Sequence, residues 1–353
     1  MFGLSREIRG KHIAYRPELD GIRALAIVIV LLHHLGYLSG RGFLGVDIFF
    51  TLSGYLITQV LLATVAKGKP LFGFYRRRLA RLYPIMALSA PIALWLNGFQ
   101  HARDTKPLLA SLFYVKNFLH WGDLFGPFWS LSAEEQFYLL FPLTLVIFLK
   151  FLNRRALTVF LLAITTLAWS YVLWMNYPNY SWNQDGVINL VLFRPTMILV
   201  GCIISLNYAF CQRIVKRFSQ IFMALFVITF ALAIKEQFPG LAAIDTAILI
   251  LLLDKSVSKN ISIFGGFRMV LSLPPIRTLG ILSYSIYIWH MPIIFLYYKK
   301  ALSPHDHPWM IFGIVLAVAL VSFYIVEVPL QRLLSGSRKS DSLGRVRTIL
   351  KRV

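Results

Sequence analysis

Apolar positions in this chain gather into long runs broken by short polar stretches. The runs fall near 21–39, 42–65, 82–99, 134–152, 156–175, 187–209, 218–234, 241–254, 275–298 and 310–334. A bilayer core of ~30 Å is crossed by about 20 helical residues. Lipid offers no partner to a free backbone N–H or C=O, so a spanning run must satisfy its own and is predicted to be helical. The pattern predicts an all-α polytopic integral membrane protein with about ten transmembrane helices. The segment 107–119 is too short to span and is expected to lie at an interface or to re-enter. No internal repeat of the kind transporters carry is visible.

The polar stretches between the runs are mainly basic, and this fixes the expected orientation. With the N-terminus inside, about 28 of the 36 Lys and Arg residues fall on the cytoplasmic side. Both termini are therefore expected to be cytoplasmic, with the Asn176–Gly186 loop outside. Residues 1–334 form the expected membrane domain and 335–353 a basic cytoplasmic tail, with no appended soluble domain. The basic, polar lead before the first run does not read as a cleavable signal.

Composition supports the membrane reading: 58% of residues are hydrophobic and only 14% charged, too apolar for a soluble fold. A net charge of +21 in a soluble protein would suggest nucleic acid. Here the cations flank apolar runs, so the expected partner is the lipid bilayer and not nucleic acid. Two cysteines, Cys202 and Cys211, exclude a zinc framework, and no metal site is expected.

Ionisable residues inside spans are costly and are functional candidates for that reason. They comprise Arg23, His33, His34, Asp47, Glu134, Glu135, Arg194, Asp245, His290 and Glu327. Arg23 and His34 are separated by a rise of roughly 16 Å and return to within about 20° of one helix face. His33 points about 100° away. By depth, His34, Asp47, the glutamate pair and His290 are all expected in the outer half. A histidine–carboxylate pair in that layer would suit general-base catalysis, whereas Glu134 and Glu135 after Ser130 and Ser132 also suit a helix N-terminus. The run FYRRRLARLYP (74–84) is a topology anchor or a phosphate site, since Arg offers phosphate paired donors. Ser53-Gly54 permits close helix approach; Ser53 as a nucleophile has no base near it in sequence. Arg194, next to Pro195, needs a carboxylate or an unwound carbonyl as partner.

Five segments in order carry a resemblance: ELDGIRALAIVIVLLHHLG, GFLGVDIFFTLSGYLIT, the arginines 77, 78 and 81, WSLSAEEQFYLLFP and LSYSIYIWHMP. With them the chain resembles the acyltransferase family 3 proteins, integral-membrane enzymes that include O-antigen and nodulation-factor acetylases. The resemblance implies an acyl-CoA donor, such as acetyl-CoA, entering from the cytoplasm, with no tightly bound cofactor. It implies a carbohydrate acceptor met outside and residence in the cell inner membrane. By it, His34 matches the essential histidine, Arg23 its paired arginine, Arg77, Arg78 and Arg81 the donor-side arginines, and Glu134 the acidic residue of the tryptophan motif. His290, Tyr287, Ser53 and Arg194 are further substrate or structural candidates.

The mechanism expected on both grounds has arginines holding the donor phosphates and His34 taking the proton from a sugar hydroxyl. Glu134 or Asp47 would orient the imidazole; acylation of His34 itself is the covalent alternative. The rival reading is a transporter or flippase using the buried charges as a proton relay. Thioester turnover separates the two.

Overall fold

A computed structural model describes residues 15–38, 41–98, 105–119, 124–176, 193–236, 240–258, 262–299 and 307–335. The basic lead, most of the 176–186 loop and the tail beyond residue 335 lie outside these residues. Within them all regular structure is helical, as the apolar runs predict.

The helices are α1 Pro17–His34, α2 Gly42–Ala66, α3 Phe72–Asn97, α4 Thr105–Leu112, α5 Phe128–Phe151 and α6 Arg154–Asn176. Next come α7 Thr196–Leu206, α8 Tyr208–Arg217, α9 Ser219–Glu236, α10 Leu241–Leu252, the single turn α11 Lys255–Ser258 and α12 Ser262–Leu271. The chain ends with α13 Pro274–Ile281, α14 Ser283–Lys299, α15 Pro308–Ser322, a π turn Phe323–Glu327 and α16 Val328–Ser335.

Each apolar run carries a helix, but fewer qualify as spans than the runs suggest. Among the described residues, four helices are long and apolar enough to cross a membrane, or up to six if each bent pair counts as one span. The difference comes from breaks that composition does not reveal. α7 and α8 meet at 81° at Asn207, whose Nδ2 donates to the Ile203 carbonyl (2.9 Å), a second bond beside the backbone one, and to Thr158 Oγ1 (3.1 Å) on α6. α13 and α14 meet at 65°. α1 carries Glu18, Asp20 and Arg23 within its first turns. The segment 107–119 does not span: α4 and a 3₁₀ turn at Lys116–Phe118 occupy it.

α2 is the hub. It packs against α1, α7 and α10, and 56% of its apolar window is buried, against 22% for the peripheral span 308–334. Its seam with α7 is a backbone contact. A Cβ on Gly54 would sit 1.9 Å from the Ile198 carbonyl oxygen, and one on Gly201 2.0 Å from that of Thr51. Two glycines therefore bring the axes together, the close approach expected at Ser53-Gly54. α1 packs against α13 and α14, and α3 against α14 and α16. The polar residues of α1, α2, α3, α5 and α14 thus meet in one interior.

Gly54→Ala and Gly201→Ala should each lower stability by about 1–3 kcal/mol through overpacking. Gly266→Ala, facing open space in α12, should not. Thermal unfolding in detergent reads the difference; equal melting temperatures for all three would remove the seam.

Candidate active site

A cavity of about 190 Å³ opens between α1, α2, α3, α5 and α14, with polar walls of Arg23, Ser53, Arg78, Arg81, Glu134 and Glu135. Tyr114, Tyr138 and Tyr284 complete the aromatic part of the lining. Arg23 leaves α1 toward the α13–α14 bend, where it donates to the Gly280 carbonyl (3.3 Å) and to Ser283 Oγ (3.1 Å). Arg78 donates to Glu135 Oε1 (2.9 Å), lies 3.6 Å from Glu134 Oε1, and stacks over the Tyr138 ring. Ser53 Oγ donates to Glu134 Oε1 at 2.5 Å, and the Tyr138 hydroxyl donates to the same oxygen. Tyr284 donates to the Leu82 carbonyl at 2.9 Å, tying α14 to α3.

Charge is not balanced in this cavity. Arg78 is held by the two glutamates, but Arg23 has only neutral partners, and Arg81 makes no ion pair with a carboxylate among the described residues. Two guanidiniums therefore face a confined space with donor capacity left over, which suits an anionic ligand. Arg77 is exposed and does not line the cavity, so of the three arginines matched by the resemblance, 77, 78 and 81, only Arg78 and Arg81 do.

The histidines form a second group. The His34 ring lies 5.0 Å from that of His290 and 4.8 Å from that of His33, centroid to centroid. His290 is fully buried, and its Nδ1 meets the Tyr287 carbonyl at 2.6 Å. The Tyr287 hydroxyl in turn donates to the Pro127 carbonyl (2.9 Å) and lies 2.7 Å from Ser130 Oγ. The arginine and histidine groups are joined along α5: Ser130 and Glu134 stand one turn apart on one face, a rise of about 6 Å.

The polar residues expected in one outer layer are thus divided. Glu134 and Glu135 reach inward to Arg78 and to Ser53, midway along α2, and leave His34 and His290 in the histidine group. Asp47 is elsewhere again. Its carboxylate receives both bonds of Arg194 Nη1 (3.1 and 2.9 Å), with the guanidinium 4.1 Å from the centre of the Phe43 ring. Arg194 therefore has the carboxylate partner its position demanded. The ring contacts of His34 are with other histidines, while Asp47 and Glu134 are bound to Arg194 and to Ser53, Tyr138 and Arg78. Asp245 lies apart, bonded to Thr229 on α9.

Sequence reasoning passed over Tyr114, Tyr138 and Tyr284. Tyr138 was legible: it follows Glu134 by four residues and so shares its face. Tyr114 was not, because its left-handed backbone (φ 54°) belongs to the turn after α4. Ser53 had no base near it in sequence; in the fold it has Glu134.

Fold and site together define a multi-pass helical membrane protein with an arginine-lined interior cavity. Residues 16–328 match the acyltransferase domain of acyltransferase family 3, and the chain belongs to that family. It is 31% identical to the peptidoglycan O-acetyltransferase OatA of Listeria monocytogenes, across 90% of this chain and 56% of that protein. It is 31% identical to the O-acetyltransferase OatA of Staphylococcus aureus, covering 90% and 57%. It is 28% identical to the putative peptidoglycan O-acetyltransferase YrhL of Bacillus subtilis, covering 91% and 56%. The chain spans a little over half the length of these relatives. No solved structure matches it.

Removing one member of a buried ion pair leaves the other uncompensated, a loss of about 3–5 kcal/mol. Asp47→Asn should lower the melting temperature sharply, and Asp47→Leu combined with Arg194→Met should recover most of the loss. A double variant no better than the single would mean that Asp47 acts other than by neutralising Arg194.

Proposed function

We propose that the protein is a membrane O-acetyltransferase that moves an acetyl group from cytoplasmic acetyl-CoA to a hydroxyl of a cell-wall or exported glycan. The observation that carries this reading is the pair Arg23 and Arg81, which line the cavity with no carboxylate in ion-pair contact among the described residues. Phosphates of the donor would take up that unspent capacity. Family membership supports acyl transfer, and the names of the relatives favour a peptidoglycan-type glycan as acceptor. The inner membrane is the expected residence, with both termini cytoplasmic.

Arg23 and His34 belong to one unbroken helix, α1, so a donor held at Arg23 is led along that helix toward His34. His34, only partly buried, takes the proton from the acceptor hydroxyl as the oxygen attacks the thioester carbonyl. The new C–O bond forms, the C–S bond breaks, and the proton passes to the departing thiolate. Arg78, neutralised by the glutamates, shapes the cavity around Ser53 and Glu134.

Arg23→Gln and Arg81→Gln should each weaken acetyl-CoA binding, with salt dependence reduced, while Arg77→Gln should leave it near normal. His34→Ala should lower transfer by about 10²–10⁴ with the donor still bound, and His33→Ala far less. Titration of acetyl-CoA and transfer of labelled acetyl by the purified full chain read both effects. Normal turnover in His34→Ala would end the base assignment; normal donor affinity in both cavity variants would return the arginines to topology.

A further inference from the structure

We propose that His290 is the positioning residue for His34, a neutral imidazole holding the catalytic imidazole where a carboxylate was expected. The inference rests on the reading of His34 as the general base.

A carbonyl oxygen only accepts, so the 2.6 Å contact with Tyr287 requires the proton of neutral His290 to be on Nδ1. Nε2 is then a bare lone pair. It is buried and has no hydrogen-bond partner, in a side chain with 0% exposure. A buried acceptor without a donor calls for an explanation, and the His34 ring is its neighbour at 5.0 Å, tilted by 48°. That separation is what two imidazoles joined by one N–H···N contact of ~2.9 Å would show. Closing the proposed contact would take a rotation of the half-buried His34 ring that turns one of its nitrogens toward His290 Nε2.

The chemistry follows from the two nitrogens of His34. With one N–H donated to His290 Nε2, its other nitrogen carries the lone pair that receives the proton of the acceptor hydroxyl. His290 thereby fixes the tautomer and stabilises the imidazolium formed during attack. When His34 returns the proton to the thiolate, the starting tautomers are restored, and His290 exchanges no net proton.

The support behind His290 is itself fixed. Tyr287, one turn earlier on α14, is pinned to the start of α5 through the Pro127 carbonyl and Ser130. His33 makes a like contact, its Nδ1 meeting the Leu38 carbonyl at 2.9 Å. It is only partly buried, however, its Nε2 is not a buried orphan as that of His290 is, and as the neighbour of His34 on α1 it points to another face of that helix. Neither candidate carboxylate is free for it, since Asp47 is bound to Arg194 and Glu134 to Ser53 and Tyr138.

The test compares His290→Gln with His290→Phe in the full chain, using acetyl-CoA as donor and soluble peptidoglycan strands as acceptor. Gln carries an acceptor oxygen near the position of Nε2; Phe fills the volume without one. The Phe variant should lose kcat by about 10–100-fold at unchanged donor KM, and the Gln variant should recover most of it. If both fall together with the melting temperature, His290 is a packing residue and the proposal is overturned. If the Phe variant keeps full kcat while His34→Ala is inactive, the proposal fails and the base assignment survives. If His34→Ala is itself active, the base assignment falls first and this inference with it.

Discussion

Guanidinium groups inside a bilayer must be partnered, and the carboxylates available decide which of them remain free to bind anything else. Asp47 is consumed by Arg194 on the α2–α7 side. Glu135 and Glu134 hold Arg78. That leaves Arg23 with a backbone carbonyl and a serine hydroxyl, and Arg81 without an ion-pair partner among the described residues. The anion site proposed for this cavity would thus be a consequence of how few acids accompany the cations: 15 Asp and Glu in the whole chain, against 36 Lys and Arg.

The same economy organises the helices. α2 lies at the centre because its Gly54, with Gly201 of α7, lets the two helices approach to backbone contact, and that contact brings Arg194 within reach of Asp47. One turn and a half further along α2, Ser53 meets Glu134 from α5. The bend between α13 and α14 gives Arg23 its anchor and starts α14 at the height where Tyr284 ties to α3 and Tyr287 to α5. Helix breaks that shorten the spans are thus the places where polar groups are delivered to the interior.

Much of this was legible in the sequence where it depends on a single helix. Arg23 and His34 on one face follow from the helical period alone, and the demand of Arg194 for a partner follows from burial. The identity of that partner did not, because 147 residues separate it from Asp47. Nor did the Ser53–Glu134 bond, across 81 residues. Depth in the membrane placed the glutamates with His34; long side chains on α5 instead turn inward to the arginines. The number of unbroken spans was obscured for a different reason, since hydropathy does not register the bends at Asn207 and Leu282.

The central claim is a directional path: donor held at the inner arginines, acetyl delivered at the histidine layer. It is tested most directly by reconstituting the full chain into vesicles, sorting them by orientation, and placing labelled acetyl-CoA and soluble peptidoglycan strands on opposite faces. The account predicts labelled glycan when the donor is on the face of the Arg77–Arg81 segment and the acceptor on the other. Labelling only with donor and acceptor on the same face, or glycan passage without any thioester turnover, would contradict it.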